Sequence, residues 1–294
     1  MTILTNKLGL PRSIENAVRR DPYSFGNANI SVTGLIDSAR KRALEIKHKD
    51  EITEDVADRI WSLMGQVLHG VLERADDEAV TEKRLFIERH GWIISGAFDR
   101  LLLEGQALQD YKSTSTYALK DGPKPGWVAQ LNIYALMIRE DMDATVNRLQ
   151  VVVVFRDWQK SKAKHAPDLY PQSPVGVFDI PMWTAEQTEA YITERLMAHG
   201  HAQHQLPECT AEERWARPPV YALWKDGNVK ATKLFNDLSD AERAMMEAKV
   251  KNGKAEYRIE TIAEQNVRCE DFCPAAPHCE QWRKLSTNSL GLRK

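Results

Sequence analysis

The sequence predicts an α/β protein in which helices flank a central mixed sheet, followed by a small C-terminal α+β module closed by a metal-bound cysteine site. Three observations carry that expectation. Strand-like apolar runs alternate with helical stripes through the first two thirds of the chain. The unbroken run from Val151 to Val154 reads as a strand buried on both faces. Beyond Pro207 the pattern shifts to a hairpin and a helix, and Cys269, Cys273 and Cys279 then crowd into eleven residues.

In chain order, residues 55–73 set Val56, Ile60, Leu63 and Val67 on one helical stripe, with Thr53 as the expected N-cap. Strands over 92–103 and 107–112 follow, and Glu104-Gly105-Gln106 between them is short enough for an antiparallel hairpin. Helices are expected over 127–139 and 184–204, with the buried strand 149–155 between them. Past a boundary near 206–207, strands 220–225 and 229–235 flank Asp226-Gly227-Asn228, a helix covers 239–252 and a short strand covers 257–262. The expected domains are therefore 1–205, the core with its N-terminal helical region, and 206–294, the module.

Hydrophobic residues make up 43% of the 294 and charged residues 28%, which is ordinary for a globular chain. No apolar run reaches the roughly 18 residues needed to span a bilayer, and the N-terminus has no signal-like apolar core, so a cytoplasmic protein without a membrane partner is expected. A net charge of -2 excludes a global basic field, so any polyanion must be held by a local patch. The absence of Gly-x-x-x-x-Gly-Lys-Ser/Thr excludes a phosphate-loop motor in this chain. Cys209 joins the three C-terminal cysteines, and without a secretion signal the four favour metal over disulfides.

Asp110-Tyr111-Lys112 lies on an expected strand, where i and i+2 share a face, so a carboxylate stands beside an ammonium. Alone, such a pair is common and worth little. Asp99, in Gly96-Ala97-Phe98-Asp99 across the hairpin, adds a second carboxylate. Two carboxylates can share one hard cation that keeps positions for water and a substrate phosphate. His69 falls on the side of its helix away from the apolar stripe and has no explanation as a core residue; Gly65, one turn earlier, leaves room for another element. Gln130 and Tyr134 are i and i+4 on the next helix and point to one edge of the sheet.

Taken in order over roughly residues 30–160, these features resemble the RecB-like exonuclease branch of the PD-(D/E)xK nuclease superfamily: Gly-x-x-x-His on a helix, Gly-x-x-Asp on a strand, (Asp/Glu)-x-Lys on the next, and Gln-x-x-x-Tyr on a helix. Ser31-Val32-Thr33 and the cysteine arrangement are similar to phage-encoded relatives of CRISPR-adaptation and AddB-type iron-sulfur nucleases. The resemblance implies a restriction-endonuclease-like core that hydrolyses DNA phosphodiesters, as an exonuclease in end processing or recombination. Its expected partners are single-stranded DNA or duplex ends, a recombination protein or further copies of itself.

The resemblance also implies roles. Asp99, Asp110, the main-chain carbonyl of Tyr111 and His69 would hold one or two Mg²⁺ or Mn²⁺ ions, Lys112 would orient or activate the attacking water, and Gln130 and Tyr134 would complete the catalytic set. Asp110, where the family admits Glu or Asp, is the shorter ligand by one methylene. Glu73 and Glu82 are candidate further ligands or groups that orient His69. Arg156, Lys160, Lys162, Lys164 and His165 form a basic stretch around Trp158 that can track phosphates while the indole stacks on a base. Lys120, Lys124 and Trp127 form a second, weaker candidate patch.

Zinc satisfies tetrahedral coordination by Cys209, Cys269, Cys273 and Cys279, whereas the resemblance points to a [4Fe-4S] centre; either staples the module, since hydrolysis moves no electrons. His278 is an alternative ligand, and Pro274 and Pro277 stiffen the intervening loop. Two competing readings share the scaffold. A DNA-binding or assembly protein that cuts little is disfavoured by the intact Asp99, Asp110 and Lys112, and a restriction-type endonuclease by His69, Gln130 and Tyr134.

Overall fold

The computed structural model describes residues 2–21, 24–75, 79–119, 122–253 and 255–291. They form two compact units, one of residues 1–43 and 49–207, the other of 44–48 and 208–294. In the first unit, β1 (Ile3–Thr5) and α1 (Arg12–Arg19) precede β2 (Ile30–Ser31), α2 (Val32–Ile36) and the first half of α3 (Ala39–Lys47), whose residues from Leu44 onward belong to the second unit. β3 (Thr53–Asp55) pairs in parallel with β1 and leads into α4 (Ile60–Leu72). Then come β4 (Ala79–Thr81), β5 (Arg84–Arg89), β6 (Trp92–Ala97), β7 (Arg100–Leu102), β8 (Ala107–Thr114), α5 (Pro125–Met142), β9 (Arg148–Phe155), α6 (Lys160–His165), β10 (Val175–Ile180) and α7 (Ala185–His201).

The central sheet has the order β10-β9-β8-β7-β4, and only β8 and β9 run parallel, which makes it mixed as expected. A three-stranded sheet, β2-β6-β5, adjoins it in sequence. The expected continuous strand 92–103 is broken at Phe98-Asp99, and its halves serve different sheets. The pairing nevertheless keeps one register: Thr81 lies opposite Arg100 and Arg84 opposite Ala97, so Glu82 faces Asp99 across the gap. The Glu82 N–H donates to the Asp99 carbonyl at 3.1 Å and the Phe98 N–H to the Lys83 carbonyl at 3.3 Å, carrying the ladder through the bend. Glu82 takes a left-handed φ of 47°, which for a non-glycine residue costs about 1–2 kcal/mol. Phe98, fully buried, anchors the break in the core.

α5 explains where that core sits. Every residue from Ala129 to Ile138 is buried, so the helix is surrounded by protein; it packs against β5, β8, β9, α2 and α7. Leu131, Ile133, Met137 and Ile138 meet Leu108, Leu149, Val151 and Val153 of the sheet in one cluster. α4 differs from expectation at both levels. Thr53 lies in β3, and the cap is Asp55, which accepts from the Ala57 N–H while Asp58 accepts from the Asp55 N–H, opening a 3₁₀ turn over Val56–Arg59. The stripe is not a core face: Val56 is buried, yet Val67 is 53% exposed. Trp61, Met64 and Val71 are exposed as well.

The second unit contains β11 (Ala216–Arg217), β12 (Val220–Lys225), β13 (Lys233–Phe235), α8 (Leu238–Lys251), β14 (Tyr257–Ile262), β15 (Gln265–Asn266) and α9 (Glu280–Gly291). β13-β12-β14 form an antiparallel sheet against which α8 packs, and β11 pairs with β15. The hairpin's second strand starts at Lys233 instead of 229, because the turn at Gly227 (φ 83°) runs on into an exposed loop that contains Val229. Residues 44–48 belong here although the sequence boundaries assign them to the core. The local reason is the His48 ring, stacked on His278 at 4.2 Å.

Candidate active site

The bend between β4–β5 and β6–β7 is where the acidic residues converge. Asp99 is 7% exposed, and its Oδ2 accepts the Tyr111 N–H at 2.6 Å, which pins the carboxylate to β8. Its Oδ1 lies 3.5 Å from His69 Nδ1, and Glu82 Oε1 lies 3.3 Å from the same nitrogen. The other ring nitrogen of His69, Nε2, lies 3.3 Å from the Tyr111 carbonyl. Donor atoms of His69, Glu82 and Asp99 all fall within 4.8 Å of one another. Two carboxylates, an imidazole nitrogen and a nearby peptide carbonyl are a donor set that fits a hard or borderline divalent cation. Glu73 lines the same cavity but stands outside this close trio, whereas Glu82, the cross-strand neighbour of Asp99, is inside it.

Asp110 is 2% exposed; Lys112 Nζ donates to its Oδ1 at 3.0 Å and lies 2.7 Å from its Oδ2, a buried oxygen that has no hydrogen-bond partner among the described residues and remains available to a cation. Lys112 also donates to Gln130 Oε1 at 3.3 Å, and Gln130 Nε2 donates to the Tyr134 hydroxyl at 3.4 Å. Asp110, Lys112, Gln130 and Tyr134 thus form one chain of contacts from β8 to α5. Gly96 closes it: a Cβ there would lie 2.3 Å from Tyr134 Cε1 and 2.8 Å from Val32 Cγ2. Gly65, expected to admit another element, instead faces open space beside the cavity, with nothing within 4 Å of an added Cβ.

These charges act on one another. Burial and the Asp110 carboxylate push Asp99 up to about 7, against the pull of His69, Lys112 and the Tyr111 N–H. The Glu82 hydrogen bond raises His69 more than burial lowers it, and Asp99 and Asp110 add to the rise. Burial disfavours the Lys112 ammonium, yet the fields of Asp110 and Asp99 outweigh it and hold Lys112 above its ordinary value. Lys112 is therefore a fixed cation in this arrangement, suited to stabilise charge and donate a hydrogen bond. The cavity around these groups has a volume of about 690 Å³ and is also lined by Ser31, Thr33, Gln66 and Arg84. Arg84, which donates to Ser95 Oγ at 3.4 Å, was missed in the sequence; its signal is a charge two residues after Glu82 on the strand facing Asp99.

Of the expected DNA-contacting residues, Arg156 follows β9 directly and its guanidinium stacks on Trp61 at 4.1 Å. Trp158 packs against the core and its indole N–H donates to the Pro171 carbonyl at 2.7 Å, so the ring is committed to packing and is no free stacking face. Lys160, Lys162, Lys164 and His165 are exposed on α6, with Lys162 over Tyr170, and none of them lines the cavity. Lys124 lies over Trp127 at 5.2 Å, and Lys120 falls outside the described residues.

In the second unit, burial first, then the neighbouring Cys273, Cys209 and Cys279, push the Cys269 thiol up to about 11, which brings all four cysteines into one electrostatic group. The Gln281 side chain accepts from the Cys209 N–H at 2.8 Å and donates to the Cys209 carbonyl at 2.9 Å, and Arg214 donates to that carbonyl at 2.9 Å. The segment carrying Cys209 is thereby fixed by side chains of two other segments.

Comparison with curated proteins finds no match to this sequence. Among solved structures, the crystal structure of SSO0001 is similar over 63% of this chain and 83% of that chain, with a TM-score of 0.44 and 18% identity. A structure named "putative exonuclease" from Eubacterium rectale is similar over 53% of this chain and 56% of that chain, with a TM-score of 0.27 and 11% identity. The sequence itself is more decisive: residues 33–280 match the profile of the PD-(D/E)XK nuclease superfamily, and the chain belongs to that superfamily.

Proposed function

We propose that this nuclease hydrolyses DNA phosphodiesters in a divalent-cation-dependent reaction at the Asp99–Lys112 cavity, as a RecB-like exonuclease working on DNA ends. The observation that carries the reading is the juxtaposition of the His69–Glu82–Asp99 donor trio with a Lys112 held by Asp110 and Gln130. His69, Asp99, Asp110 and the Tyr111 carbonyl, joined by Glu82, are the groups that would hold Mg²⁺ or Mn²⁺. A bound divalent ion supplies Lewis-acid stabilisation of phosphoryl oxygens and acidifies its water. Asp110 and Gln130 fix the Lys112 ammonium on the cavity wall, where its charge acts on the attacking water or a phosphoryl oxygen. Arg84 adds a second cation on the cavity wall.

End-labelled single- and double-stranded DNA incubated with the wild type and Lys112→Ala, in Mg²⁺, Mn²⁺ or chelator, tests this. Loss of one fixed donor predicts a fall in kcat of roughly 10²–10³-fold. Equal cutting by both proteins would remove Lys112 from the chemistry.

For the second unit we propose a [4Fe-4S] centre on Cys209, Cys269, Cys273 and Cys279. In support, the Cys269 thiol feels Cys273, Cys209 and Cys279 together, and the cysteine arrangement is similar to that of the iron-sulfur relatives, while the same four thiolates would also satisfy a tetrahedral zinc. Anaerobically purified protein should be coloured and carry iron; colourless protein with one equivalent of zinc decides for zinc.

A further inference from the structure

Along α4, Trp61, Gly65 and His69 stand at i, i+4 and i+8, a row on one side of the helix. His69 ends the row at the acidic trio, and Gly65 leaves open space in its middle. Trp61 begins it, 61% exposed although it is an indole, with the Arg156 guanidinium stacked against it at 4.1 Å. Arg156 leaves the parallel pair of β8 and β9 just beyond Lys112: its N–H donates to the Thr114 carbonyl, two residues after Lys112 on β8. Lys124 is held below its usual value by its own burial and then by the Arg156 charge, so a second cation stands near the first. Ser62, Gly65 and Gln66, which follow Trp61 on the helix, line the cavity that holds His69 and Asp99, while Trp61, Arg156 and Lys124 stand outside that lining.

We propose that Trp61, backed by Arg156 and joined by Lys124, is a shelf for an unpaired DNA strand that enters the cavity over Gly65, so that the substrate is single-stranded or frayed DNA. This rests on the nuclease reading above. Eight residues of helix separate Trp61 from His69 by about 12 Å, the length of about three stacked nucleotides at roughly 3.4 Å each. A base three positions from the scissile phosphate lies on the indole, and Arg156 and Lys124 take the phosphates beside it. In intact duplex both faces of an internal base are already stacked, so the shelf accepts it only after unpairing.

The test is the affinity of the protein as purified, with no Mg²⁺ or Mn²⁺ added and at one fixed salt concentration, for a fluorescent dT12 and for a blunt hairpin duplex. Trp61→Ala should weaken dT12 binding by about 5- to 100-fold, the loss expected for one base–aromatic stack, and Trp61→Phe should restore most of it, with the duplex changed less than about twofold. Equal dT12 affinity in wild type and Trp61→Ala, or an equal loss on duplex, overturns the shelf. A wild-type length series avoids any question of variant folding: affinity should step upward between two and about four nucleotides, and a series without that step also overturns it. Failure of the wild type to cut any DNA with Mg²⁺ or Mn²⁺ would sink the nuclease reading instead, and these binding measurements still judge the shelf.

Discussion

Gly96 shows how little it takes to hold the site together at the level of one residue. Its missing Cβ lets the Tyr134 ring sit where an alanine methyl would be 2.3 Å from a ring carbon, and Tyr134 in turn fixes Gln130 on Lys112. Gly96→Ala should therefore cost about 1–3 kcal/mol of stability through overpacking, and lower kcat by up to roughly 10²-fold as the ring shifts by about 1 Å. A thermal melt and a single-turnover assay measure both, and an unchanged kcat would detach Tyr134 from catalysis. Asp99 governs the pH response. Its folded value of about 7 lies above the unfolded value, as does that of His69 above its own, so each favours the metal-free fold at low pH and ceases to do so as pH rises. Metal-free protein should lose melting temperature between about pH 4, where the unfolded Asp99 carboxyl ionises, and about pH 7, where the folded one does, and Mg²⁺ should bind more tightly over the same window while releasing protons. Calorimetry in buffers of different ionisation enthalpy detects that release; metal binding with no proton release below pH 7 contradicts the assignment of Asp99 and His69 as ligands.

The elements that deliver these residues were only partly legible in the sequence. The helix bearing His69 and the strand bearing Asp110 and Lys112 follow from periodicity, which fixes the kind of element even where, as in α4, it does not fix what is buried. The break at Phe98-Asp99 does not, since residues 92–103 contain no proline, Gly96 falls before the break, and the left-handed residue lies on the partner strand, at Glu82 opposite Asp99. The same nonlocal pairing brings Glu82 into the close trio with His69 and Asp99 while Glu73, nearer to His69 in sequence, stays out. At α4 the stripe read as core is a surface, because an amphipathic pattern reports which residues cluster and not what covers them. The start of the helix was misplaced by two residues because Asp55 does more than cap it. Its carboxylate also accepts from Thr5 Oγ1 at 2.7 Å and the Lys7 N–H at 2.8 Å, which ties the N-terminal strand to the start of α4. Asp55→Ala should lower the melting temperature by roughly 2–4 °C and Asp55→Asn by less. These bonds hold the carboxyl below its ordinary value, led by the Lys7 N–H, so the wild-type advantage should fade as pH drops through the acid range; an advantage that persists below about pH 3 argues against it.

Across the whole molecule, apolar burial is distributed very unevenly. The largest fully buried side chains, Phe98, Leu131, Met137 and Leu149 among them, all belong to the first unit. The second unit buries chiefly Ala222, Ala241, Ala275 and Ala276, with Leu44 and Leu223 as its large aliphatic residues. A unit of that size with so thin a core has little stability of its own, and small domains of this kind depend on a metal or cross-link. On the proposed reading, the four cysteines, with Gln281 and Arg214 fixing the Cys209 backbone, would supply such a staple when metal is bound. Because a ligand set formed only in the folded state adds its binding free energy to folding, removing one thiolate should unfold the second unit and leave the first intact. Cys273→Ser should accordingly resolve calorimetric unfolding into a low transition for residues 208–294 and a nearly unchanged one for the first unit, with protease cutting concentrated beyond 207. The visible absorption of a cluster should vanish in the same variant. If Cys273→Ser melts as the wild type does and resists protease equally, the cysteines are passengers, and the second unit must draw its stability from its sheet and α8.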